Sequence, residues 1–314
     1  MNKKDIENCY ERIRTRIQRT PLLHSDPLDS RLGKGHKIYL KCENFQITRS
    51  YKPRGALNAL LKKPKVPVVT RSSGNFAQAV SWAGAQLDIP VTIVMPENVS
   101  SIKMEGTRKW GAEVVIAGTT YQEQYDKVDE LLRQRGEGHS ISAFNDLDVI
   151  EGQGTVALEV VEQMPAFRHF FAPVGGGGLM SGCATYLKET DPNYEVIGVE
   201  PEGAADFFQS RQQGKICRVE NADTIADGLR SPSVGEINWP ILNRYVDESM
   251  VVPDQAIIES MRYLFEEVGL VIEPSGATSL AALVAHPEWE PKGDMVFVLS
   301  GGNVDMKKFM VWMR

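Results

Sequence analysis

The sequence lacks the marks of several large protein classes. Only four of its 314 residues are cysteine (Cys9, Cys42, Cys183 and Cys217), far apart and without a CxxC pair. They read as reduced thiols of a cytosolic protein, not as a disulfide framework. The five histidines show no HExxH or HxxxH spacing, which leaves a zinc site without support. There is no concentrated basic stripe, and the net charge of −6 argues against nucleic acid or an anionic membrane surface as a partner. No apolar run approaches the length needed to span a bilayer. The opening Met1-Asn2-Lys3-Lys4-Asp5 leads into charge, not into the apolar core of a secretion signal. A cytoplasmic location is expected.

What is present is ordinary for a globular chain: 42% apolar and 24% charged residues, enough for one large or two modest domains with sizeable cores. Ile6, Cys9, Tyr10, Ile13 and Ile17 recur at helical spacing and predict an amphipathic helix, broken at Thr20-Pro21. From Lys37 onward, short apolar runs alternate with helical patterns. Strands are predicted over 38–40, 66–70, 91–95, 113–117, 170–174, 196–200 and 295–299. Helical stretches include 77–86, 121–133, 155–163 and 260–267. Such alternation predicts an α/β fold with parallel sheets and ligands at the carboxyl ends of strands. No repeat or low-complexity linker divides the chain.

Three segments carry chemistry. In Thr48-Arg49-Ser50-Tyr51-Lys52-Pro53-Arg54-Gly55-Ala56, Pro53 suits the first turn of a helix and disfavours helical geometry at Lys52. Lys52 is therefore expected at the leading, positive end of a helix. With Arg54 nearby and partial burial, that setting favours a neutral amine. A neutral lysine can bond a carbonyl covalently and act as a general base. Alone, Lys52 is a surface lysine at a helix start. The second segment, Thr70-Arg71-Ser72-Ser73-Gly74-Asn75-Phe76, joins a strand to a helix and offers hydroxyls and backbone amides to a carboxylate. Alone, it is a serine-rich cap. The third, Gly175-Gly176-Gly177-Gly178-Leu179, follows the apolar Phe170–Val174 run. Four consecutive glycines let the backbone N–H groups wrap a phosphate, and a helix from Leu179 adds its dipole. A dinucleotide fingerprint competes, with Glu195 and Glu200 near the required distance. It wants spaced glycines after an early strand, whereas these are contiguous and late.

Taken in order, Ser-Tyr-Lys-Pro-Arg-Gly-Ala, Ser-Ser-Gly-Asn, the tetraglycine with Leu179, and Leu299-Ser300-Gly301-Gly302-Asn303-Val304-Asp305 resemble the fold-type II pyridoxal phosphate (PLP) enzymes, within them the threonine dehydratase and serine racemase group. Gly152-Gln153-Gly154-Thr155 and Thr224-Ile225-Ala226-Asp227-Gly228 extend the likeness over nearly the whole chain. The resemblance implies two open parallel-sheet α/β domains, like tryptophan synthase β, with a small domain (66–145) inserted in a large PLP-binding one (1–65 and 146–314). It implies that Lys52 holds PLP covalently beside Tyr51, and that Ser73 is an acid/base on the opposite face. Asn75 would bond the ring hydroxyl, Gly175 through Leu179 would cradle the phosphate, and Ser300 would face the pyridine nitrogen. Ser72, Ser73, Gly74 and Asn75 would take the substrate carboxylate. Glu200, Asp206 and the carbonyl of Ala204 match a divalent-cation site of the group, where hard oxygen donors suit Mg²⁺ or Ca²⁺.

The implied activity is an ammonia-lyase acting on threonine or serine, with serine racemisation or cleavage of threo-3-hydroxyaspartate as alternatives. A homodimer is expected from the group, and no isoleucine-sensing regulatory domain after the Ser300 motif. Three residues depart from the common pattern. Arg49 replaces a glycine and must tolerate or avoid positive φ, Tyr51 replaces phenylalanine, and Phe76 replaces histidine. These bear on substrate preference more than on cofactor chemistry.

Overall fold

Short apolar runs, rich in β-branched residues, form nine strands in two sheets among the described residues; the computed structural model describes residues 1–99 and 101–314, apart from the side chain of Ile102. The larger sheet holds β1 (Leu22–His24), β2 (Ile38–Cys42), β6 (His169–Pro173), β7 (Glu195–Pro201), β8 (Glu248–Val252) and β9 (Met295–Leu299), in the order β1-β2-β9-β6-β7-β8. The smaller sheet is β3 (Val68–Arg71), β4 (Val91–Met95) and β5 (Glu113–Ile116). All pairings are parallel except β1 with β2. The expectation of purely parallel sheets is corrected at that edge, where an antiparallel strand is a common addition. Every residue of β4, β6 and β9 is buried, as parallel strands covered on both faces require.

Alternation along the strands divides the interior. Phe170 and Ala172 of β6, with Val296 and Val298 of β9, face a cluster that continues through the opening helix and into the small sheet at Val68, Ile93 and Met95. Phe171, Phe297 and Leu299 face the opposite cluster. The opening helix ends at Ile13, short of the predicted Ile17, although Ile17 is still buried.

The helix carrying Lys52 (Lys52–Lys62) is fixed by close backbone packing. A Cβ on Gly55 would lie 2.6 Å from the Val149 carbonyl oxygen, and one on Gly152 would lie 2.4 Å from that of Arg54. Helix Leu147–Gln163 meets helix Gly178–Thr190 equally closely, since a Cβ on Gly182 would fall 2.5 Å from the Gly154 nitrogen. The Gly152-Gln153-Gly154 motif thus lets three helices touch backbone to backbone.

Beneath them lies a fully buried ionic network. Arg54 Nε and Nη2 donate to Glu43 (2.9 and 2.8 Å), while Nη1 and Nη2 donate to Glu159 (both 2.8 Å). Lys41 Nζ adds a 2.7 Å pair with Glu159. Two cations thus balance two anions. Burial opposes the Arg54 charge, but Glu43 and Glu159 outweigh it and hold the guanidinium protonated.

Candidate active site

Parallel strands deliver the predicted residues to one end of the molecule. Ser72–Asn75 follow β3, Gly175 follows β6 closely, and Ser300 follows β9 directly, the position at which open α/β sheets bind ligands. Lys52 is the first residue of its helix and Pro53 the second, so the proline does not exclude helical geometry there. The Arg54 charge, expected beside Lys52, is instead directed into the buried network and balanced by acids. Lys52 Nζ donates to the Ala143 carbonyl at 3.2 Å and lies 4.8 Å from the Tyr51 ring and 5.8 Å from that of Phe76. Phe76 is buried. It gives the amine an aromatic wall where histidine would have offered a titratable group. Tyr51 N donates to the Ser300 carbonyl (3.1 Å), which ties the lysine loop to the end of β9.

Two helices present N-termini without side-chain caps. One is Gly178–Thr190, with Gly177 at its N-cap; the other is Asn75–Leu87, with Gly74 at its N-cap. Unpaired N–H donors at such ends attract anions. Gly177 has φ +91°, open to glycine at no steric cost. A Cβ on Gly176 would lie 2.2 Å from the Phe144 ring. Gly176 is held from the other side by Gly235 N and Asn238 Nδ2, both donating to its carbonyl. This cradle fits a phosphate bound by backbone alone, so the residues present fit PLP. Ser300 is buried and its Oγ donates to the Ser275 carbonyl at 3.3 Å. Ser275 Oγ in turn accepts from Gly228 N at 2.9 Å.

Ser72 N donates to Val94 O, and its Oγ accepts from Gly74 N, which shapes the loop in which Ser73 is half-buried. Asn75 is oriented from both sides. Its Nδ2 donates to Glu273 Oε1 (2.6 Å), and its Oδ1 accepts from Asn303 Nδ2 (2.8 Å). Glu273 was missed at the level of sequence. Burial, followed by the nearby charge of Asp227, pushes its carboxyl up to about 8, so at neutral pH it is largely protonated. The available signal was an acid placed just before Pro274 at the start of the apolar helix Pro274–Ala285. Arg49 adopts φ +58° in the position where glycine is usual.

Glu200 ends near the carboxyl terminus of β7, Ala204 closes a 3₁₀ turn (Glu202–Ala204), and Asp206 begins helix Asp206–Gln213. Both carboxylates and Ala204 are fully buried. Glu200 accepts from Phe207 N (2.8 Å) and Phe208 N (2.7 Å), capping that helix, whereas neither carboxylate oxygen of Asp206 has a well-formed hydrogen bond. Burial, and then Asp206, push Glu200 well above the usual carboxylate range; burial lifts Asp206 to about 7. Two buried acids, one of them (Asp206) with both oxygens orphaned, form a donor set that fits a hard cation.

A lysine between uncapped helix ends and a glycine cradle, all at the carboxyl ends of parallel strands, defines a PLP-dependent enzyme. The family model described as pyridoxal-phosphate dependent enzyme matches residues 13–301. The chain is 39% identical over 310 residues to an L-threonine ammonia-lyase of Geobacter sulfurreducens, covering 98% of this chain and 76% of that one. It is 36% identical over 309 residues to the L-threo-3-hydroxyaspartate ammonia-lyase of Saccharomyces cerevisiae, covering 97% and 94%. The structure of maize serine racemase superposes with a TM-score of 0.94 at 34% identity, covering 99% of this chain and 96% of that one. The chain belongs to the fold-type II PLP enzymes, in the group that includes threonine ammonia-lyases and serine racemases.

Proposed function

We propose that the enzyme removes water from small β-hydroxy amino acids, L-threonine and L-serine, and releases a 2-oxo acid and ammonia. The observation that carries this is Lys52 Nζ, held at 3.2 Å by the Ala143 carbonyl between two helix ends that no side chain caps. PLP bound there supplies a conjugated system that stabilises the charge left by α-proton removal. Lys52 holds the cofactor and, once released from it, takes the α-proton at Nζ. The Ser72–Asn75 loop binds the substrate carboxylate through hydroxyls and the amides of the following helix. Gly175–Leu179 hold the cofactor's phosphate. Ser300 would face the ring nitrogen with a neutral hydroxyl, which lacks the negative charge by which a carboxylate would hold that nitrogen protonated. Ser73, with a hydroxyl for the other face, permits racemisation from the same proton removal. The test supplies L-threonine, L-serine and L-threo-3-hydroxyaspartate to the holoenzyme and follows oxo acid and D-serine separately. Oxo acid is expected, and its absence with all three would overturn the dehydratase assignment.

We further assign Glu200, the Ala204 carbonyl and Asp206 to Mg²⁺ or Ca²⁺, supported by the two unpartnered Asp206 oxygens. Either ion should raise the melting temperature of the wild type but not of Asp206→Asn; an equal response would refute the assignment. The domain boundaries 1–65 with 146–314, and 66–145, are supported by a separate sheet in each. Exposed Met306, Met310 and Val311 on helix Met306–Trp312 support a homodimer. Sedimentation at twice the 34.9 kDa chain mass would bear this out. Four unpaired thiols support the cytoplasm. Among the described residues no helix is long and apolar enough to cross a membrane.

A further inference from the structure

Glu273 stands at the N-cap of helix Pro274–Ala285, yet its side chain accepts from none of that helix's amides. Its backbone carbonyl takes them instead, from Gly276 N at 2.8 Å and Ala277 N at 3.1 Å. The carboxyl turns away to Asn75, whose Nδ2 donates to Oε1 at 2.6 Å. Gly301, directly after Ser300, leaves room for this pair, since a Cβ there would also lie 3.1 Å from Asn75 Nδ2. An amide can be turned end for end, and its neighbours decide which way it faces. The Thr48 carbonyl can only accept, and it takes a 2.7 Å bond from Asn303 Nδ2. The same nitrogen donates to Asn75 Oδ1 at 2.8 Å, so Nδ2 is the end of Asn75 turned to Glu273. One of its two hydrogens is used there. Among the described residues the other has no acceptor, which leaves it for a ligand. Burial and then Asp227 push the Glu273 carboxyl up to about 8, while the Asn75 bond, Lys103 and Arg49 pull the other way. Asp227 is itself paired with Lys103. The balance lies with the proton at neutral pH.

We infer that Glu273 is a positioning residue: it holds the Asn75 amide with an N–H free for the ring oxygen of PLP, and it keeps its own proton so that this oxygen can carry a negative charge. The inference rests on the assignment of Asn75 to the cofactor's ring hydroxyl. A donor such as the Asn75 amide favours the ionised ring oxygen. A carboxylate one amide away, in a buried setting, opposes it. The two negative charges exclude each other, so PLP and the Glu273 proton are held together. Below about 8 the proton is already present and cofactor affinity is complete. Above that pH it must be taken up from solvent on binding, and affinity falls by up to roughly 10-fold for each pH unit.

The test measures the dissociation constant of PLP for the full chain across this pH range, in the wild type, Glu273→Gln, Glu273→Leu and Asn75→Ala. Each is also titrated with the analogue of PLP that lacks the ring hydroxyl. Titration of Lys52 and of free PLP is common to the wild type and Glu273→Gln, so it cancels in the ratio of their constants. That ratio should be flat below about pH 7 and rise roughly 10-fold between about pH 7 and 9, the wild type becoming the weaker binder. With the analogue it should stay flat throughout. Glu273→Leu leaves Asn75 Nδ2 without its acceptor and should bind PLP roughly 3- to 10-fold more weakly than Glu273→Gln at every pH. Asn75→Ala should lose the preference for PLP over the analogue. A ratio that stays flat with PLP, or that rises equally with the analogue, overturns the inference, as does a Glu273→Leu that binds as well as Glu273→Gln. An unchanged preference in Asn75→Ala overturns the ring-hydroxyl assignment, and the inference with it. None of these readouts needs turnover, so a failure of the dehydratase assignment imitates none of them.

Discussion

Glu273 allows a prediction in which both sign and size follow from burial. Its carboxyl is enclosed against Gly301 and Asn75: a Cβ on Gly301 would fall 2.1 Å from Glu273 Oε1. Burial first, and Asp227 second, raise it from 4.5 to about 8. Below pH 4.5 the folded and unfolded chains both hold this proton, and the stability it protects is complete. As pH rises past 4.5 the unfolded chain ionises while the folded one does not. Stability therefore declines by about 1.4 kcal/mol for each pH unit, until the folded group ionises near 8. The full decline is roughly 5 kcal/mol. The side-chain amide introduced by Glu273→Gln keeps the acceptor for Asn75 and cannot ionise, so the variant's profile lacks this component. Between pH 5.5 and 8 the variant should gain roughly 3 kcal/mol relative to the wild type. For a chain of this length, that is a relative shift of roughly 5 °C in melting temperature. Calorimetry of both holoenzymes across that range is the assay. Parallel profiles would show that Glu273 is ionised in the fold and that the burial reasoning is wrong.

Other expectations follow from the same geometry. Lys52→Ala should abolish turnover and the visible absorbance of the bound cofactor while leaving the far-ultraviolet circular dichroism unchanged; turnover surviving at wild-type level would refute its role. Arg54→Met leaves Glu43 and Glu159 buried with only Lys41 between them, and should cost about 3–5 kcal/mol in urea denaturation; a loss below about 1 kcal/mol would show that the network relaxes freely. Gly176→Ala drives a methyl into the Phe144 ring and should weaken cofactor binding at least roughly 10-fold (about 1.4 kcal/mol), read by fluorescence titration. Adding Phe144→Ala should restore much of it, and no recovery would place the conflict elsewhere.

The strands buried on both faces were legible because continuous apolar runs between turn signals have few alternatives: β4, β6 and β9, buried throughout, and the largely buried β2, β3 and β7 all overlap predicted segments, as does the more exposed β5. β1 is only three residues long, and β8 (Glu-Ser-Met-Val-Val) opens on two polar residues, so neither presents such a run. Around the site, the ordered glycine and serine motifs were legible because backbone-built anion sites depend on residues without side chains in the way. Glu273 and Phe144 were not. Each acts through a partner far along the chain, Asn75 and Gly176 respectively, and pairing across such separations leaves no local pattern. Arg54 was legible as a charge but not as a buried one, because its partners Glu43 and Glu159 are assembled by the helix packing around Gly152.

The two uncapped helix ends have one more consequence. An anion bound at such an end gives its first amides the acceptors that no side chain supplies, so cofactor and substrate would complete the hydrogen bonding of the fold as well as the chemistry. Loading then acts as a folding ligand. At a free PLP concentration about 100 times its dissociation constant, it would add about 2.7 kcal/mol to stability, and the cellular lifetime of the chain would follow vitamin supply. Unloaded molecules would be the first that proteases find, so the pool would be trimmed to the number of active sites that can be filled.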